Sequence, residues 1–131
     1  MPRTNINPQV LAKFPATGII SALSLDIAFT AADITNGNSF QSSGRDLVLV
    51  TNADVVPHTF TIGSIPDNFG RLGNVGPYTV GPQVTSGSPP VMVGPGVTSM
   101  FLIDNQALYA FNDGVHLDAS DAHILFAILK V

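Results

Sequence analysis

A chain of 131 residues is long enough for one domain with a real core, but only 11% of it is charged, against about 25% in ordinary globular chains. A net charge of −4 with five basic residues, scattered along the chain, excludes the basic face that phosphate binding needs. With no cysteine there is no disulfide, no thiolate nucleophile and no thiolate metal site.

The acidic residues are all Asp, and lysine occurs only at Lys13 and Lys130. Asp favours turns and caps, so a chain without Glu has little material for exposed helix faces. With 12 Gly and 10 Pro, the composition points to strands and loops. The 45% apolar share is ordinary. The shortage is of charge to coat a solitary globule, which points to surface buried against partners.

Residues 1–18 hold three prolines and two asparagines. They are expected to form an extended N-terminal arm without regular structure, ahead of a β domain over residues 19–131. Leu11 and Phe14 are its candidate anchors on a neighbouring subunit. The apolar stretch Ile19 to Phe29 carries Ser21, Ser24 and Asp26 and is too short to span a bilayer. No targeting segment is evident, and synthesis in a cytoplasm is expected.

Leu23 to Thr30 alternates, with Leu23, Leu25, Ile27 and Phe29 on one face of a predicted strand. Asn36-Gly37 is a turn signal, Ser39, Ser42 and Ser43 read as loop, and Phe40 as a plug at the core edge. Arg45 to Ile65 reads as the central hairpin. Leu47 to Val50 is an unbroken apolar run, so both faces of that strand should be covered. Asn52, Asp54 and Pro57 break it, and His58 to Ile62 alternates again.

Pro66 to Pro77 reads as a surface loop stitched by an Asp67–Arg71 pair, followed by a short strand from Tyr78 to Val80. Gly81 to Gly96 holds four prolines and excludes a central strand. Val91 to Val93 is predicted as an edge strand at most. A loop this long in a compact domain is usually functional or mobile, and Val84, Val91, Met92 and Val93 make it a candidate contact surface. Strands are predicted over Val97 to Ile103, Ala107 to Phe111, Val115 to Leu117 and His123 to Val131, with a hairpin turn at Asn112-Asp113-Gly114. In the last strand residues of both parities are apolar, which places it mid-sheet or in an interface. The pattern, about eight short strands, predicts an all-β, single-domain antiparallel sandwich or barrel of jelly-roll type.

The sharpest metal candidate is the segment with His116, Asp118, Asp121 and His123. It also reads as a strand end, an Asp-rich turn and a strand start, so no metal is expected there. The Asn-rich turn before His58 has the form of a blue-copper ligand segment, but such sites need a thiolate. No Gly-x-Ser-x-Gly elbow occurs. The Gly-rich stretch Phe69 to Gly76 lacks a phosphate loop's Lys and helix. Neither Glu nor Trp is present for the usual glycosidase site. No enzyme activity and no cofactor are expected.

Three stretches resemble a group of small tailed-phage virion proteins. They are TAADITNGNSFQSSGRDLVLVTNAD from Thr30 to Asp54, DNFGR from Asp67 to Arg71 followed by Tyr78, and the closing AHILFAILKV. The resemblance covers roughly residues 25–131 by pattern. It implies a capsid decoration, or cement, protein: a non-enzymatic β-rich subunit, often trimeric, on the capsid surface of the virion. Its implied partners are the major capsid protein and further copies of itself, with neither nucleic acid nor membrane. Gly81 to Gly96 looks like an insertion relative to that pattern, and the Trp often found in the group is absent. The alternative is a receptor- or carbohydrate-binding virion module such as a fibre head, for which Phe111, Asn112 and Asp113 are the one tempting set.

Overall fold

The computed structural model describes residues 2–10, 27–82, 84–86, 91–94, 99–103 and 106–130. In chain order the strands are β1 (Thr4–Asn5), β2 (Gln9–Val10), β3 (Thr30–Ala31), β4 (Asn38–Phe40), β5 (Asp46–Asn52), β6 (His58–Ile62) and β7 (Val75–Val80). They continue with β8 (Val84–Ser86), β9 (Val91–Gly94), β10 (Ser99–Ile103), β11 (Ala110–Phe111), β12 (Gly114–Ala119) and β13 (Ile124–Lys130). A single helical turn, α1 (Gln106–Tyr109), precedes β11.

The strands form a β sandwich. A six-stranded sheet runs β1-β4-β12-β6-β7 with β11 beside β12, and a five-stranded sheet runs β10-β5-β13-β2 with β3 beside β13. β8 and β9 form a separate two-stranded ladder. Both larger sheets are mixed, because β1 pairs parallel with β4 and β2 pairs parallel with β13. Between the sheets lie Phe40, Val48, Val50, Phe60, Ile62, Val115, Leu117, Ile124, Phe126 and Ile128. Edge-to-face contacts join Phe60 to Phe101 and Phe126, at centroid distances of 5.4 and 6.4 Å.

Arg45 to Ile65 is not the hairpin its sequence suggests. β5 pairs with β10 and β13, whereas β6 pairs with β12 and β7. The connection is an arch that carries the chain from one sheet to the other. Asn52 braces the arch. It is fully buried, and its Nδ2 donates to the carbonyls of Val56 (2.8 Å) and Val80 (3.2 Å). Its Oδ1 accepts the Asp54 amide at 2.9 Å. This side chain occupies the polar groups of the bend, which a two-residue hairpin would have paired across the strands.

The described part of the N-terminal arm, residues 2–10, contributes a strand to each sheet, in contrast to the irregular arm expected. Ile6 supplies the reason: it is buried in the core, and its amide donates to Ser39 O at 2.8 Å. Arg3 completes the strap with a bidentate pair to Asp118 at 2.8 and 3.2 Å. Within the predicted strand from Leu23 to Thr30, residues 23–26 lie outside the described residues; Ile27 and Phe29 are exposed, and pairing starts at Thr30. Ser39 belongs to β4 and is buried, and Phe40 sits in the middle of the core.

Ala107 to Phe111 is also not all strand. Gln106, Ala107 and Leu108 are good helix formers and make the turn α1, with Leu108 O accepting the Ile65 amide at 2.7 Å. The predicted hairpin at Asn112-Asp113-Gly114 joins β11 to β12. Gly114 has φ +107, and a Cβ there would meet Phe40 O.

Outside the sandwich core, the five-stranded sheet has a second apolar face. Strand register aligns Met100, Leu49 and Ala127 in one row and Leu102, Leu47 and Leu129 in the next. Leu49, Ala127 and Leu129 are buried, while Met100 and Leu102 on β10 remain 66% and 45% exposed.

Candidate functional site

At one end of the sandwich the β5–β6 arch meets the turn between β12 and β13. Two backbone bonds zip them together: Ala53 N–H donates to His123 O and Ser120 N–H to Thr59 O, both at 2.9 Å. The Ser120 hydroxyl also accepts the Thr59 amide at 2.9 Å. These ties bring four ionisable side chains into one cluster. Asp54 comes from the arch, His58 opens β6, and Asp121 and His123 come from the turn.

One donor atom from each residue lies within 4.8 Å of the others. His58 Nε2 is 2.8 Å from Asp54 Oδ2 and 3.7 Å from Asp121 Oδ1. His123 Nδ1 is 2.5 Å from Asp121 Oδ1 and 3.6 Å from Asp54 Oδ2. The two imidazoles stack at 6.1 Å with 12° between their planes. Side-chain exposure grades from 14% at His58 to 55% at His123, so the cluster is rooted in the domain and opens outward.

Backbone amides aim both carboxylates. Asp54 Oδ1 accepts from Val55 N–H at 2.7 Å, which leaves Oδ2 turned toward the imidazoles. Asp121 Oδ1 accepts from His123 N–H at 2.8 Å. The hydrogen bond from His58, with that from Val55 N–H, holds the Asp54 carboxyl below its ordinary range. Hydrogen bonds from the His123 amide and ring do the same for Asp121. His123 is shifted up, chiefly by its bond to Asp121. All three shifts favour the charged forms together.

The sequence segment from His116 to His123 therefore splits. Asp121 and His123 join the cluster, whereas His116 and Asp118 lie on β12 and bind elsewhere. His116 stacks on Phe111 at 4.1 Å and 4°, with Nε2 2.6 Å from Asp113 Oδ1. Asp118 takes Arg3. His58, read from sequence as a strand-edge histidine, proves to be a core member of the cluster. The tempting set Phe111, Asn112 and Asp113 is at the β11–β12 hairpin, where Phe111 and Asp113 both engage His116.

Of the predicted contact residues, Leu11 and Phe14 lie outside the described residues. Val84 sits on β8, and Val91, Met92 and Val93 on β9, with Thr85 opposite Met92 and Ser86 opposite Val91. The exposed apolar residues Met100 and Leu102 were missed, although their place in the apolar run of β10 was visible. The Asp67–Arg71 loop forms as read: Arg71 Nε donates to Asp67 Oδ2 at 2.7 Å, and Asp67 Oδ1 caps the amides of Phe69 and Arg71. Comparison with protein-family models, with curated proteins and with solved structures finds no match to this chain.

Proposed function

We propose that this β sandwich is a capsid decoration protein, a structural subunit that binds the outside of a phage capsid and clamps neighbouring capsomers. The observation that carries this reading is the two-sided apolarity of the five-stranded sheet. Its inner face builds the core, and on its outer face Leu49, Ala127 and Leu129 form a second buried cluster while Met100 and Leu102 stand open on β10. A lone globule gains nothing from exposing Met100 and Leu102 side by side on β10. Among the described residues β10 also pairs on one side only, with β5, which leaves a strand edge for a neighbour. The low charge of the chain and its resemblance to small tailed-phage virion proteins agree with a life in an assembly.

Work of this kind is binding free energy, not chemistry. Many copies, each joined to others in a closed ring such as a trimer, multiply modest contacts through effective concentration. The test is the native mass of the purified chain, followed by co-sedimentation with undecorated capsids. An oligomer that pellets with capsids is expected. A stable monomer that stays in the supernatant would overturn the proposal.

A further inference from the structure

We infer that Asp54, His58, Asp121 and His123 form a binding site for one borderline divalent cation of the zinc class, which staples the β5–β6 arch to the β12–β13 turn. The reading stands apart from the decoration role, and it rests on donor chemistry and geometry. Two imidazole nitrogens and two carboxylate oxygens suit Zn²⁺ and its neighbours. Calcium takes six or more oxygen donors, and half of the donors here are nitrogen.

Tetrahedral coordination with ligand bonds of about 2.0–2.1 Å separates adjacent donor atoms by about 3.3 Å. Around this cluster the successive separations are 2.8, 3.7, 2.5 and 3.6 Å. The two short ones are hydrogen-bonded His–Asp pairs, and they open when a cation replaces the bridging proton. The two long ones need to close by less than half an ångström, and the two pairs across the cluster, which lie within 4.8 Å, by at most about 1.5 Å. Side-chain rotation is enough for this, because the backbone of both segments is already fixed by the Ala53–His123 and Ser120–Thr59 bonds.

Backbone amides also position both carboxylates, at Asp54 through the oxygen that faces away from the cluster and at Asp121 through the donor oxygen itself. Val55 N–H holds Asp54, and His123 N–H holds Asp121. Asn52, buried beneath the arch, fixes the backbone from which Asp54 projects. All four places of a tetrahedron are supplied by protein, which is the pattern of a structural site and not of a catalytic one with an open position.

The experiment uses the untagged full chain, stripped with a chelator and titrated with zinc chloride near neutral pH by calorimetry, alongside thermal melts. One zinc per chain and a Tm raised by several degrees are expected. His116→Ala, which removes the histidine outside the cluster, should bind zinc as the unaltered chain does. His123→Ala and Asp121→Asn should each lose on the order of tenfold or more in affinity and lose the rise in Tm. Circular dichroism without zinc checks that both variants fold. Should one of them fail to fold, the other decides. The inference is overturned by an unaltered chain that shows neither binding nor a Tm shift. Undiminished binding in a folded His123→Ala or Asp121→Asn variant would overturn it equally, as would loss of binding in His116→Ala.

Discussion

The two faces of the five-stranded sheet are built from the same residue types and have different fates. On the inner face Val48, Val50, Phe126 and Ile128 are sealed against the opposite sheet. On the outer face Leu49, Ala127 and Leu129 are buried in a small cluster of their own, and the row ends in the open side chains of Met100 and Leu102. An ordinary sandwich strand alternates, with polar residues outward. Here the alternation fails in β5, β10 and β13 at once. The inner face holds the two sheets together, and on the outer face the exposed apolar side chains are those of β10.

The largest effect that would separate the faces is on the inner side. Phe126→Ala should destabilise by about 3–5 kcal/mol in urea unfolding, since this ring is fully buried against Phe60. A cost under about 1 kcal/mol would mean that the inner face is not the stabilising one. Asn52→Ala, at the end of the same face, should cost about 2–3 kcal/mol, because it leaves the Val56 and Val80 carbonyls without this donor. A near-neutral result there would show that the arch holds without its asparagine. The smallest change in stability should come from the outer face. Met100→Ser with Leu102→Ser should alter unfolding free energy by no more than about 0.5 kcal/mol each while abolishing self-association in sedimentation. Intact oligomers in the double variant would move the contact surface elsewhere.

Much of this was legible in the chain. The apolar runs at Leu47 to Val50 and Ile124 to Leu129 announced strands covered on both sides, and Asn112-Asp113-Gly114 announced its hairpin. The arch was misread because residues 53–57 have the length and the turn residues of a hairpin loop. What distinguishes the two is where each strand finds its partners, β5 with β10 and β13 and β6 with β7 and β12, and those partners lie far along the chain. The ion cluster was half visible for a similar reason. Asp121 and His123 stood out together, and so did His58 with its Asn-rich turn, but the sheets alone bring these segments together. The spacing of Asp54 to His58 and of Asp121 to His123, each flanking a turn, was the available signal.

The placement of β13 has a consequence for how the protein is made. It is an inner strand of its sheet, flanked by β5 on one side and by β2 and β3 on the other. Before residues 124–130 leave the ribosome, β5 has β10 on one side but nothing on the other, and the parallel strand β2 has nothing to lie against. Such distant pairings carry a large loop-closure cost and slow the approach to the native state. Cotranslational folding should therefore leave the five-stranded sheet, and the sandwich that needs it, unfinished until this keystone arrives.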